Sequence, residues 1–351
     1  MDERVRTAVA GVEAYVVGGA VRDELLGRPV VDVDVATHDP EVAARIYAGV
    51  AKGALFPLSE RHGAWRVAFR DGRTVDFTPL RGDIEDDLRT RDFTINAIAQ
   101  PAAGGERIDP LGGVPDLQAR RLRAVSASVF EDDPLRLLRA VRLEGELGFA
   151  LDEETERRVR EQAGLVVQPA GERILGELER LSPGGFRRAD ELGLLGPLGG
   201  SLARLDDVDL VDSPGFLLVV VFGEALFRLP ISNEQKRFAK TLLAASRPQD
   251  ATPREIHRFR RATEPWALSG LAFLGATELY AAVRVARAAD PSDRLLTGED
   301  ILALGVEPGP EVGRLLELVE EERAAGTIST RDEALELVQR EMWPHPTSGA
   351  T

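Results

Sequence analysis

The stretch VVGGAVRDELLGRPVVDVDVAT (16–37) reads as strand, glycine turn, short helix and second strand, and it sets the fold class of the first part of the chain. In VVDVDV (30–35) successive side chains alternate, so Val31, Val33 and Val35 share one face and Asp32 and Asp34 the other. Two carboxylates on one open face suit a pair of Mg²⁺ ions that bridge phosphate oxygens during in-line phosphoryl transfer. Taken alone, D-x-D more often marks an edge strand with a solvated acidic face. Upstream, Gly18 and Gly19 let the backbone turn with its N–H groups exposed, and the helix start adds favourable dipole charge, which together make a phosphate cradle. Arg22, on the first helical turn, offers a fork of donors to a triphosphate. A cradle and an acidic pair lying between positions 18 and 34 specify a nucleoside triphosphate and its metals in one place.

Around this core the first 125 residues mix short β-type runs with turn signals. AYVV (14–17), AWRVAF (64–69) and TVDFTPL (74–80) read as further strands, and 21–26 and 40–51 as helices. From about residue 126 helical periodicity takes over, in SVFEDDPLRLLRAVRLEGEL, LDEETERRVREQAGL and GERILGELERL. SPGGF (182–186) and LLGPLGG (194–200) read as breaks. Near the end, Thr297 and Asp300 have capping-box form, PGPEVG (308–313) opens another helix, and Ser329 or Thr330 caps the last. The expected architecture is an α/β head followed by an all-α remainder.

Composition narrows the function. The 351 residues carry 59 Asp and Glu against 44 Lys and Arg, a formal charge of −15, so any nucleic acid must be held by local basic patches against the overall field. Only Lys52, Lys236 and Lys240 are lysines; every other basic residue is Arg. The absence of Cys excludes a disulfide scaffold, a thiolate zinc site and a Cys nucleophile. The four His (His38, His62, His257 and His345) lack metal-ligand spacing. No run of eighteen apolar residues appears and the N-terminus has no apolar signal core, so a cytoplasmic protein without membrane association is expected.

A third motif, FEDDPLRLLRAVR (130–142), places Asp133 as an expected N-cap and Pro134 at the first helical position. Arg136, Arg139 and Arg142 recur along one side while Leu135, Leu138 and Val141 face the core. An amphipathic helix with a solvated Arg face has the same pattern. The chemical alternative is that Asp133 accepts and Arg136 donates, side by side. That pair matches the Watson–Crick edges of cytosine and adenine and repels those of guanine and uracil.

With these motifs in place, VVGGAVRDELLG…DVDVAT, DLRTRDFTINAIA (87–99), DPLGGVPDLQARRLRAV (109–125), FEDDPLRLLRAVRLEGELGF (130–149) and GERILGELERL (171–181) resemble, in order and spacing, the blocks of class II tRNA nucleotidyltransferases, the bacterial CCA-adding enzyme and poly(A) polymerase family. Residues 297–335 resemble that family's C-terminal region. The resemblance implies an α/β nucleotidyltransferase head of polymerase-β-like fold (1–125), a helical neck that recognises the nucleotide (126–190), a helical body (191–290) and a helical tail that binds tRNA (291–351). It implies Mg²⁺ on Asp32 and Asp34, a triphosphate on Gly19 and Arg22, nucleotide contact by Arg91, and base and phosphate recognition by Asp133, Arg136, Arg139 and Arg142. Asp76 stands where a further acidic residue is usual. The implied substrates are the tRNA 3′ end with CTP and ATP.

Departures from the family pattern refine this. Thr90 replaces an Arg before Arg91. The only His-Asp dipeptide, His38-Asp39, reads as a turn, so no phosphohydrolase activity is expected. Between Arg81 and Asp87 only residues 82–86 intervene, where full CCA-adding members carry a much longer segment; this favours a CC-adding enzyme over a complete CCA-adding or A-adding one. The segment 56–69 lacks the basic run of poly(A) polymerases. A catalytically silent RNA-binding relative is the contrasting reading, opposed by the intact Asp32, Asp34 and Arg22. Arg254, His257, Arg258, Arg260 and Arg261 form a cluster suited to tRNA phosphates.

Overall fold

The computed structural model describes residues 3–59, 63–209, 211, 215–291 and 293–342, which fall into two compact units divided between Gly199 and Gly200. His62 and His345 lie outside the described residues.

In the first unit six strands form one mixed sheet: β1 (Ala14–Val17), β2 (Asp32–Thr37), β3 (Ala54–Ser59), β4 (Ala64–Ala68), β5 (Thr74–Pro79) and β6 (Ala99–Pro101), in the order β3-β4-β5-β2-β1-β6. β2 runs parallel to β5 and antiparallel to β1, so the D-x-D strand is interior and not an edge. Val35 is fully buried on one face of β2. Helix α1 (Glu3–Ala8) precedes the sheet, α2 (Gly19–Leu25) follows β1, and α3 (Pro40–Ala51) packs on the β4–β5 side through Tyr47, whose ring meets Phe77 at 5.6 Å and Phe69 at 6.1 Å. The other face of β2 changes character along its length. Ala36 joins Val17, Leu80, Leu88 and Ala97 in an apolar cluster, whereas Asp32 and Asp34, on the same face, emerge from it. β3 and β6 had no strand signature in the sequence. β3 is an edge strand containing Pro57 with Phe56 and Leu58 exposed, so it lacks the alternation that burial imposes, and β6 has three residues.

After α4 (Ile84–Arg89) and α5 (Gly113–Gln118) the unit becomes helical: α6 (Val129–Asp132), α7 (Arg136–Leu147), α8 (Glu153–Glu161), α9 (Gly171–Leu178), α10 (Pro183–Glu191) and α11 (Leu195–Leu198). The stretch 130–142 is thus two helices. Regular α-helix starts at Arg136, two residues after the expected Pro134, and Asp133 closes α6; its Oδ1 nevertheless accepts the Leu135 N–H at 3.2 Å, the bond a cap makes. SPGGF is no break. Ser182 accepts the Gly185 N–H at 3.1 Å and Pro183 fills the first turn, so the same residues start α10, which runs to Glu191.

The regular structure among the described residues of the second unit is all helical: α12 (Phe216–Phe222), α13 (Asn233–Ala244), α14 (Pro253–Thr263), α15 (Ala267–Phe273), α16 (Tyr280–Ala288), α17 (Gly298–Ala303), α18 (Pro310–Ala324) and α19 (Arg331–Met342). The capping box of Thr297 and Asp300 is formed in both directions. Thr330 is the cap of α19: its hydroxyl accepts the Glu333 N–H and Glu333 accepts the Thr330 N–H. Leu315, Val319, Ala334 and Val338 build the core of this end. No single helix among the described residues is long and apolar enough to cross a membrane.

The turn Thr94–Asn96 and the start of α5 are in direct contact. Asp109 accepts the Gly113 and Val114 N–H groups, and a Cβ on Gly113 would stand 2.1 Å from the Thr94 carbonyl oxygen. Gly113→Ala is therefore expected to destabilise the first unit by about 2 kcal/mol or more, the cost of overpacking against fixed backbone. Urea unfolding of the two proteins measures it, and an unchanged midpoint refutes this account of the contact.

Candidate active site

Gly18 turns the chain with φ 73°, and α2 begins at once with Gly19. The left-handed φ disfavours a side chain at Gly18, where a Cβ would also lie 3.0 Å from Arg91 Nη1 and 3.3 Å from Asp34 Oδ2, whereas a Cβ on Gly19 would make only ordinary contact with Arg22 Nη2 at 3.4 Å. The turn thus brings bare backbone against an acidic and a basic side chain. The open region is a cleft of ≈ 860 Å³ that every metal- or nucleotide-site candidate except Asp76 lines, from Gly18 and the acidic pair on the head to Arg142 on α7.

Asp34 is largely withdrawn from water. Burial pushes its carboxyl up, Asp76 and Asp32 add to the rise, and Arg91 and Arg66 oppose it. Asp32 is exposed and accepts the Thr74 hydroxyl at 2.7 Å. Asp76 is the in-register neighbour of Asp34 on β5, but Arg66 engages both its oxygens at 2.7 Å. Among the described residues no three His, Asp or Glu come together as a ready-made metal cluster. An all-oxygen pair beside a phosphate cradle fits a hard divalent cation that takes its remaining ligands from a triphosphate.

Along the wall of the cleft runs a chain of polar contacts that the sequence did not disclose. Arg22 donates to Asp23 through Nε and Nη2 and to Asn96 Oδ1 through Nη1 at 2.7 Å. Asn96 donates to Asp92 Oδ1, and Asp92 Oδ2 accepts Arg139 Nε and Nη2 at 3.0 and 2.6 Å. Arg142, buried on α7, donates to Glu177 of α9 at 2.6 Å and to Glu146 at 2.8 Å. Arg139 and Arg142 thus line the cleft while tied to carboxylates. Burial alone would raise the Asp92 carboxyl, but Arg139, the Asn96 amide and the Phe93 N–H outweigh it and hold it below the usual range. Asp92 and Asn96 sit in the same RDFTINA run as Arg91; the available signal was a polar residue at each end of the apolar 92–96 turn.

Asp133 and Arg136 both line the cleft but do not pair with each other. The Asp133 carboxylate is held by Arg173 of α9, with Nη2 to Oδ2 at 2.8 Å and Nη1 to Oδ1 at 3.3 Å. Arg136 donates to the carbonyls of Thr90 at 2.6 Å and Val129 at 3.2 Å. In the second unit the basic cluster of α14 is neutralised: Arg254 and Arg258 pair with Glu321, Arg254 also with Glu322, Arg261 and His257 with Glu317, and Arg260 with Glu264 and Asp290.

An interior D-x-D strand facing a glycine turn, followed by a helical neck that shares the cleft, defines a template-free nucleotidyltransferase. The family model described as the poly A polymerase head domain matches residues 14–84 and 68–123. The chain is 34% identical to the A-adding tRNA nucleotidyltransferase of Deinococcus radiodurans, with 96% of this chain and 97% of that protein covered. It is 30% identical to the CC-adding tRNA nucleotidyltransferase of Geobacter sulfurreducens, covering 96% and 94%. The Bacillus stearothermophilus CCA-adding enzyme in complex with CTP superimposes with a TM-score of 0.74 at 26% identity, over 97% of each chain. The chain belongs to the class II tRNA nucleotidyltransferase family.

The Asp92 contacts yield a stability test with a definite sign. A carboxyl depressed in the folded protein contributes stability above its unfolded pKa and loses it as pH falls through the folded value. Asp92→Asn should cost about 3 kcal/mol at pH 7, where Arg139 loses its counter-charge, and the gap from wild type should close as pH drops below about 4. Urea titrations at a series of pH values check this; a pH-independent gap rejects the charge argument.

Proposed function

We propose that this protein extends the 3′ end of tRNA by transferring CMP from CTP, with release of pyrophosphate and without a nucleic-acid template, and that it adds the two C residues of CCA. The reading is carried by one observation: the acidic pair, the glycine turn and the neck residues Asp133 and Arg136 open into a single cleft. The tRNA 3′-hydroxyl oxygen forms a bond to the α-phosphorus, the bond to the β-phosphate oxygen breaks, and the hydroxyl proton passes to solvent. Mg²⁺, held by Asp32 and Asp34, would lower the hydroxyl pKa and neutralise charge on the leaving pyrophosphate. The N–H groups at the start of α2 and Arg22 hold the triphosphate in line, with Arg22 fixed by Asp23 and Asn96. Arg91, beside Asp34, helps bind the nucleotide. Asp76 serves as counter-ion to Arg66 and not as a metal ligand.

Base choice falls to Asp133 and Arg136. Arg173 fixes the Asp133 carboxylate, which keeps lone pairs for the amino group of cytosine or adenine, and Arg136 retains N–H donors for the neighbouring acceptors. Restriction to C rests on the connection from β5 to α4. Gly82 turns at φ 67° and Asp83 at once caps α4 through the Asp86 N–H, so no extended segment separates Arg81 from the helix. A-addition is the second reading, favoured by the likeness to the Deinococcus radiodurans enzyme. A silent RNA-binding role is opposed by the intact acidic pair and Arg22. A tRNA substrate places the work in the cytoplasm.

The deciding experiment incubates the protein and Mg²⁺ with a tRNA transcript that lacks its CCA end. CTP alone should lengthen it by two nucleotides, and adding ATP should add nothing; growth by three with both, or growth with ATP only on a CC-ended transcript, overturns the CC assignment. Asp34→Asn should abolish transfer, leave tRNA binding intact and raise the unfolding midpoint in metal-free buffer, because a half-buried charge crowded by Asp76 and Asp32 is removed. Retained transfer rejects the acidic-pair assignment. Asp133→Ala should admit GTP and UTP, and unaltered nucleotide choice removes its role in reading the base.

A further inference from the structure

Arginine is abundant in this chain, yet in the second unit most of it is committed. On α14, Arg254, Arg258, Arg260 and Arg261 all bind carboxylates, as do Arg247, Arg287, Arg314 and Arg331 elsewhere. Helix α13 is different. Its core side carries Phe238, Ala239 and Leu242, with Phe238 meeting the Trp266 ring at 5.6 Å. At 100° per residue, Lys236, Arg237 and Lys240 fall on the opposite side, and all three are exposed. None of their side chains has an ion-pair or hydrogen-bond partner among the described residues, and neither has that of the exposed Arg228 just upstream. Glu234, the only carboxylate on the helix, lies on its flank in the first turn. Two of the chain's three lysines stand on this one ridge.

We infer that the ridge of Lys236, Arg237 and Lys240 on α13, and not the arginine cluster of α14, carries the sugar-phosphate backbone of the RNA substrate. The inference rests on the tRNA reading above. A guanidinium already bonded to a carboxylate must break that pair before it meets a phosphate, whereas a solvated ammonium only releases counterions. Lys236 and Lys240 rise about 6 Å apart along the helix, which lets them meet successive phosphates of one strand. In a chain of net charge −15, uncompensated cations on adjacent turns form a local attraction for a polyanion.

The test measures binding of the full-length protein to a tRNA transcript lacking CCA, by anisotropy across a salt series, with CTP-dependent elongation assayed in parallel. The triple variant Lys236→Ala, Arg237→Ala, Lys240→Ala should bind about tenfold or more weakly, and its log Kd versus log salt slope should fall by about 3, one for each phosphate contact. KM for tRNA should rise while KM for CTP and kcat at saturating tRNA stay at wild-type values, which also shows that the variant is folded. The double variant Lys236→Arg, Lys240→Arg should restore the slope. An unchanged slope in the triple variant overturns the inference, as does a loss that follows Arg258→Ala, Arg261→Ala instead. A wild-type chain that binds the transcript but fails to elongate it overturns the transfer reading, while the salt slopes still decide the ridge.

Discussion

A buried carboxylate is tolerated only when its charge is met, and Asp92 is where the head and the neck helix α7 satisfy that requirement together. Its two oxygens receive the Asn96 amide and the Phe93 N–H from one side and the Arg139 guanidinium from the other. Arg22, the residue beside the phosphate cradle, is held by the same Asn96. The side chain proposed to meet the triphosphate and the helix proposed to meet the base are therefore positioned through one shared group. Proximity of this kind matters most where the protein contributes little covalent chemistry and must act by holding reactants in line.

The same logic explains why α7 and α9 face the cleft with arginines that are not free. Arg142 is tied to Glu177 and Glu146, and Arg173 to Asp133. A fork of donors that meets carboxylates from two elements fixes their relative position, and fixing Asp133 matters more than leaving it mobile if its lone pairs are to discriminate one base edge from another. Discrimination by hydrogen bonds demands that the wrong base leave buried groups unpaired, and a carboxylate free to swing away would relax that penalty.

Much of this was legible in the residues. β1, α3 and the acidic strand β2 follow directly from alternation and turn chemistry in 14–51, though the interior place of β2 does not, and of the residues lining the cleft Gly18, Gly19, Arg22, Asp32, Asp34, Asp133, Arg136, Arg139 and Arg142 were named from three motifs and Arg91 from the family resemblance. What stayed hidden has physical causes. β3 is an exposed edge with Pro57, so no buried face imprinted a period on it. SPGGF carries two glycines and a proline, which mark breaks, but Ser182 and Pro183 are also a cap and a first turn, and tertiary packing of Phe186 decided between them. Asn96, Asp92, Glu177 and Arg173 were invisible because they have partners far away in sequence, up to 74 residues for Asn96 and Arg22. Spacing reports what shares a helix face and is silent on what meets across helices.

Reading basic residues by number alone would have assigned RNA contact to α14. The structure separates two uses of positive charge. Arginine, planar and multidentate, here bonds carboxylates within and between helices, and the acidic excess supplies the partners: Glu317, Glu321 and Glu322 of α18 absorb most of the α14 cluster. Lysine, a compact and strongly hydrated charge, is nearly absent, and two of its three occurrences stand unpaired on one helix face. An acidic protein that must hold a polyanion gains little from cations already neutralised at short range, since their field is cancelled within a Debye length. What attracts the RNA is the residue of charge left after internal pairing, and that residue is located by the hydrogen-bond pattern and not by composition.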